Sequence, residues 1–140
     1  MHSTPIQIRF NDLDIIGHVN NNVYLQYMDL GKMAYFEATN PETVDWRHVN
    51  VAVVNINCDF KAQTRITEPI EVRTRTLSIG ESSLTLEQQV VNSKTGEVKC
   101  EARTVMVSFD PKAGVSTPID PKWIAALNEY EGRELRKKPE

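Results

Sequence analysis

Between Ile6 and Phe10 the chain alternates, with Ile6, Ile8 and Phe10 on one side and Gln7 and Arg9 on the other. That pattern predicts a strand half-buried on one face. From Tyr24 the period changes: Tyr24, Tyr27, Met28, Gly31, Ala34 and Tyr35 recur at helical spacing, with Gln26, Asp29, Lys32 and Glu37 on the far side. A helix of about four turns follows, closed by Asn40-Pro41. Gly31 weakens its interior unless something packs very close there. Val51 to Phe109 then reads as strands. Ala52, Val54, Ile56, Cys58 and Phe60 alternate with Val53, Asn55, Asn57 and Asp59; Ile70, Val72 and Thr74 alternate with Glu71, Arg73 and Arg75. Leu84 and Leu86 lead toward Val90 and Val91, and Val98, Cys100 and Ala102 alternate with charged residues before the apolar parity moves to Val105, Val107 and Phe109. Such a shift predicts a β-bulge. Ile79-Gly80-Glu81 and Ser93-Lys94-Thr95-Gly96 predict hairpin turns, so the last three strands meander. Asp120-Pro121 predicts the cap and first turn of a short helix through Ile124 and Leu127, and the charged tail from about residue 132 is expected to fray.

The order strand, helix, four strands predicts an α+β fold: a five-stranded antiparallel sheet curled around one long central helix, plus a short C-terminal helix. The 140 residues suit a single domain over 1–140. The other sheet face, with Val53, Asn55 and Asn57 and few charges, together with an open edge strand, invites a second copy of the chain. A net charge of -3 argues against a general nucleic-acid binder, although a local group of Arg and Lys can still hold an anion. Cys58 and Cys100 show no metal-ligand spacing and read as small apolar residues in a reducing compartment, with a disulfide as the lesser option. With no membrane-length apolar run and no signal-peptide pattern in MHSTPIQIRF, a cytoplasmic protein away from membranes is expected.

The junction NDLDIIGHVNNNVY, Asn11 to Tyr24, holds more polar groups than a turn needs. One Asn can cap the helix, Gly17 can supply a left-handed turn, and one Asp can complement the helix end. The rest of the cluster suggests chemistry. A helix start offers free N–H groups that can hold a carbonyl oxygen as it becomes an oxyanion. A carboxylate across a glycine turn can attack the carbonyl carbon or deprotonate a water. A carboxylate is a weak nucleophile, so an activated acyl group such as a thioester is the fitting substrate. Phosphate-cradling glycine motifs and a hydrolase nucleophile elbow are absent, and His2, His18 and His48 lack metal-ligand spacing, so no metal is expected.

The run RFNDLDIIGHVNNNVYLQYMDLGKMAYF resembles the opening of hotdog-fold acyl-CoA thioesterases of the 4-hydroxybenzoyl-CoA thioesterase type. Their pattern is an aromatic, Asp-x-Asp-x-x-Gly-x-Val, then Asn and Tyr entering the central helix. The resemblance implies a hotdog fold and hydrolysis of an acyl-CoA to a free acid and CoA. Asp14 would be the catalytic base or nucleophile, and the helix-start backbone amides near Asn21 and Asn22 the oxyanion donors; Gly17, Asn22 and Lys61 are candidates for contacting the substrate, and Tyr24 either packs in the core, the favoured reading, or lines the acyl pocket. His18 is similar to a histidine of plant acyl-carrier-protein thioesterases, although their neighbouring Asn is Ile16 here, leaving His18 either a direct or a loop-orienting role. The resemblance also implies a homodimer or a tetramer built as a dimer of dimers, and no cofactor beyond the coenzyme A of the substrate. Lys61, Arg65, Arg73 and Arg75 either meet coenzyme A phosphates or are solvated surface; Met28, Val53, Val54 and Ile56 are candidates for setting pocket depth. An acyl-carrier-protein substrate and a non-catalytic acyl-binding module are the alternatives.

Overall fold

The computed structural model describes residues 1–39 and 50–136. The strands are β1 (His2–Ile6), β2 (Val51–Phe60), β3 (Ile70–Ile79), β4 (Ser83–Asn92), β5 (Val98–Asp110) and β6 (Val115–Ser116); the helices are α1 (Asn21–Thr39) and α2 (Pro121–Glu131). The sheet order is β1-β3-β4-β5-β2, with β6 paired to β5. The α+β class and the meander of β3, β4 and β5 are as the patterning predicts. β6 is an addition: Asp110 Oδ1 accepts the Lys112 amide and Gly114 takes a positive φ, which turns the chain back on β5.

β1 lies earlier than the alternation suggests. It pairs antiparallel with β3 from His2↔Thr74 to Ile6↔Ile70. The next pair in that register would set Gln7 against Pro69, which has no amide to donate, so the ladder stops. Phe10 enters a 3-10 turn, Phe10–Asp12, and points to solvent.

The described residues fall into two compact units, one of Met1–Tyr35, Cys58–Thr74 and Gln88–Ala102, the other of Phe36–Asn57, Arg75–Glu87 and Arg103–Glu140. In the first, Val23, Tyr24, Tyr27 and Met28 of α1 form a core with Ile70, Val72, Val90, Cys100 and Ala102. A Cβ on Gly31 would sit 2.5 Å from Val72 Cγ1, so the glycine is the notch through which helix and sheet meet. Lys32 is buried rather than solvent-facing, its ammonium reaching Asp29 at 3.2 Å while its stem covers apolar surface. Cys58 and Cys100 are both free thiols, their sulfurs 3.1 Å apart. The predicted helix stop at Asn40-Pro41 and His48 lie outside the described residues.

In the second unit Phe36 meets Trp123 edge-on at 5.2 Å, and Ile79, Leu84, Leu86, Ile119, Ile124 and Leu127 are buried. Asp120 caps α2 by accepting the Lys122 amide, Pro121 opens the helix, and Gly132 closes it in the left-handed region at φ 71°. The tail does not fray where predicted. Leu135 is 2% exposed, its amide bonds Asn128 Oδ1, its carbonyl accepts the Ile79 amide, and Arg133 donates to Leu77 O. Burial of one leucine and these backbone bonds outweigh the surrounding charge, up to Arg136.

Two sheet expectations need correction. From Cys100 onward the buried positions of β5 keep one parity through Ala102, Thr104 and Met106, so Val105, Val107 and Phe109 are a second, half-buried apolar side rather than the mark of a bulge. The two-against-one pairing of a bulge occurs instead just past β2, where the Lys61 and Ala62 amides both donate to Lys99 O. β2 itself is not half-buried: it ends the sheet order, and Ala52 through Asn57 are exposed on both faces. Ala52 and Val54 join Val107, Phe109 and Val115 in an apolar groove of about 270 Å³ that contains none of the polar cluster.

Candidate active site

The polar cluster folds as a small hairpin leading into α1. Leu13 and Val19 form an antiparallel bridge, and inside it the Asp14 amide donates to His18 O at 2.8 Å. Gly17 turns the chain at φ 89°, and its amide donates to Asp14 O. The Asp14 side chain closes the loop: Oδ1 accepts the amides of Ile16 at 3.0 Å and His18 at 3.1 Å. Among the described residues no group bonds Oδ2. One carboxylate oxygen is therefore fixed and the other available, at a half-buried position beside the exposed Ile15 and Ile16.

Asp12 has the opposite environment. It is 2% exposed, and its carboxylate accepts the Tyr27 hydroxyl at 2.6 Å, the Arg9 amide at 2.9 Å and the Arg9 guanidinium at 3.1 Å. Burial would raise its pKa, but these bonds, Tyr27 first, outweigh burial and hold the carboxyl below its ordinary range. Burial, reinforced by Asp12, pushes the Tyr27 hydroxyl upward. Asp12 O also takes the Asn20 amide, which ties the hairpin to the helix start.

At that start Asn20 is the cap: its Oδ1 accepts the Asn22 amide at 3.1 Å and its carbonyl accepts the Val23 amide. The Asn22 amide is consequently engaged, a correction to the pair of open donors expected there. The Asn21 amide has no partner among the described residues and remains an orphan donor of the first turn. His18 contributes its backbone to Asp14; its ring Nδ1 is buried, with no hydrogen-bond partner among the described residues.

Other predicted residues sit elsewhere. Tyr24 is a core residue, 1% exposed, its hydroxyl bonding Thr64 Oγ1 at 2.8 Å and Ala62 O at 3.3 Å. Burial raises its pKa. Lys61 is exposed but paired with Glu101 at 2.8 Å. Arg73 and Arg75 pair with Glu71 and Glu87, while Arg65 bridges His18 through its backbone. Among the described residues no three His, Cys, Asp or Glu side chains group as metal ligands, and no helix is long and apolar enough to cross a membrane.

Residues 8–127 match the model of the thioesterase-like superfamily. The chain belongs to that superfamily. A thioesterase of Thermus thermophilus, solved in complex with coenzyme A and zinc, superposes with a TM-score of 0.82 at 29% identity, covering 94% of each chain. The long-chain acyl-CoA thioesterase FadM of Escherichia coli K12 is 25% identical over 112 residues, 78% of this chain and 83% of its own. YsmA of Bacillus subtilis strain 168 is 28% identical over 109 residues, 78% of this chain and 73% of its own. This superfamily member thus has the hotdog fold and is a thioester hydrolase.

Sequence reasoning missed what supports the hairpin. Thr64 O accepts the Val19 amide at 2.8 Å, and the segment carrying Thr64 is anchored in turn by Lys99 and Glu68. No local motif signals these contacts, because they join residues far apart in the chain.

Proposed function

We propose that the protein hydrolyses acyl-CoA thioesters, with Asp14 as base or nucleophile and the Asn21 amide as oxyanion donor. The observation that carries this is the pairing, at one hairpin-to-helix junction, of a carboxylate with one pinned and one available oxygen and an unpartnered first helical amide. The thioester carbonyl oxygen accepts the Asn21 N–H. Asp14 either adds to the carbonyl carbon or removes a proton from the water that does. In both routes the oxyanion forms against the amide, the C–S bond breaks and the CoA thiolate leaves; on the nucleophilic route water then cleaves the Asp14–acyl anhydride, freeing the acid and restoring the carboxylate. His18 positions Asp14 through its backbone amide. The long-chain acyl-CoA substrate of FadM and the coenzyme A bound to the Thermus thioesterase support the acyl-CoA class. The sheet-edge position and two-sided exposure of β2 support assembly as a homo-oligomer.

The test is thiol release, followed with a thiol-reactive dye, across short, medium, long and aromatic acyl-CoAs. Asp14→Asn should elute as the same oligomer and lose activity by roughly 10²–10⁴-fold. Full activity in Asp14→Asn removes Asp14 from the chemistry, and no thiol release by the wild type defeats the acyl-CoA assignment. Label found in Asp14 after a single turnover in heavy-oxygen water marks the nucleophilic route, because only cleavage of an Asp14–acyl anhydride places it there.

A further inference from the structure

Lys99, on β5, has a side chain only 3% exposed, and the proposed hydrolysis does not use it. A buried ammonium is costly unless it is paired and hydrogen-bonded. Here Nζ donates to Glu68 Oε1 at 2.7 Å, to Gln63 O at 3.0 Å and to the Glu97 carboxylate. Burial would lower its pKa, but Glu68 and Glu97 outweigh burial and raise it, so the cation persists. The Lys99 carbonyl meanwhile accepts the Lys61 and Ala62 amides at 2.9 and 3.1 Å. One residue thus grips the segment 61–68 at its start, through its carbonyl, at Gln63, through its ammonium, and at its end, through Glu68.

The hydrolytic loop rests on that segment. Thr64 O accepts the Val19 amide, Arg65 forms an antiparallel bridge with His18, and Glu68 Oε2 accepts the Arg65 amide at 2.7 Å. His18 then gives its amide to Asp14 Oδ1 and takes the Asp14 amide on its carbonyl. Contact runs without a gap from Lys99 through Glu68, Arg65 and His18 to Asp14. The segment between Lys61 and Pro69 has no strand or helix of its own to hold it.

We propose that Lys99 is a positioning residue for the hydrolytic loop: with Glu68 it fixes the segment 61–68, against which His18 and Val19 keep Asp14 in register with the Asn21 amide. This rests on the thioesterase function proposed above. Misplacing a reacting group by about 1 Å can cost about a hundredfold in rate, so a loosened support shows in kcat before it shows in binding.

The experiment compares the full chain with Lys99→Met, Lys99→Arg, Glu68→Gln and the Lys99→Met/Glu68→Gln pair, by thiol-release kinetics, thermal unfolding and amide hydrogen exchange. Lys99→Met should unfold cooperatively, speed exchange at His18 and Val19 but not along β4, and lower kcat about tenfold or more with KM within about twofold. Lys99→Arg, which keeps the cation, should recover part of that loss, and the double variant should be no worse than Lys99→Met. If Lys99→Met does not fold, Glu68→Gln, which keeps the side-chain shape, carries the same comparison. Unchanged exchange at His18 and Val19, exchange that rises equally along β4, or unchanged kcat overturns the proposal. If the wild type cleaves no acyl-CoA, the hydrolytic function fails separately. Exchange alone then decides: fast loop amides over an intact β4 support the positioning role, and protected ones refute it.

Discussion

Replacing Gly31 by alanine sets two effects against each other. Alanine is the better helix former by about 1 kcal/mol, so an exposed mid-helix glycine would gain stability from the change. Gly31 is not exposed. The new methyl would lie 2.5 Å from Val72 Cγ1, 3.0 Å from Val72 Cβ and 3.2 Å from Gln88 Nε2. Relieving such contacts in a packed core costs about 1–3 kcal/mol. Val72 is a stiff β-branched residue on a paired strand, so it cannot easily yield. Gln88 cannot retreat freely either, because its Nε2 donates to Met28 O at 2.9 Å and to Thr74 Oγ1 at 3.0 Å. Losing the bond to the Met28 carbonyl leaves buried polar groups unmatched, at about 1–3 kcal/mol. The sum is a net destabilisation of about 1–5 kcal/mol. Urea unfolding should show a lower midpoint with an unchanged slope. Val72→Ala should rescue part of the loss in the double variant, a non-additivity expected of residues in contact. A Gly31→Ala protein as stable as the wild type, or more so, would refute the close approach of α1 to the sheet.

Asp12 and the cysteines give two more predictions. Because the folded pKa of Asp12 lies below its ordinary 3.8, its ionised form stabilises the protein fully above that value, and the contribution fades as pH falls through the folded pKa. Asp12→Asn should therefore cost roughly 2–3 kcal/mol at neutral pH, the worth of hydrogen bonds to a charged group, and its deficit in chemical unfolding should shrink in acid; a deficit independent of pH would count against the charged network. Burial, with Cys58 beside it, pushes the Cys100 thiol up, so a thiol-reactive probe on the native protein should label Cys58 slowly and Cys100 only after unfolding; fast native labelling of Cys100 would contradict the packing of that pair.

What the sequence discloses and what it hides divide along physical lines. Helix α1 is legible because Tyr24, Tyr27, Met28 and Tyr35 repeat within a few residues, and Gly31 stands out against them. The α2 cap is legible for the same reason, since Asp120 and Pro121 act on the turn that follows. The limits of β1 are not, because Pro69, some sixty positions away in the chain, ends its ladder. Nor can alternation distinguish a strand covered on one face from β2, whose exposure depends on its place at the sheet edge. The charges around Leu135 conceal its anchoring role, although one buried leucine and its backbone bonds suffice to hold the chain there.

The junction shows why a short motif can disclose a site yet leave its roles open. Asp12 and Asp14 are two positions apart, and in an uninterrupted strand they would share a side. The 3-10 turn Phe10–Asp12 breaks that equivalence. It turns Asp12 inward, where Tyr27 and Arg9 engage both of its oxygens, while Asp14 passes to the hairpin, where two amides engage only one. A carboxylate saturated with donors and held below its ordinary pKa is a poor base and an inaccessible nucleophile. A carboxylate saturated with donors and one with an oxygen left open therefore stand only two positions apart. The first aspartate fixes the backbone through Asn20, and Asn20 caps the helix in such a way that the Asn22 amide is engaged while the Asn21 amide has no partner among the described residues.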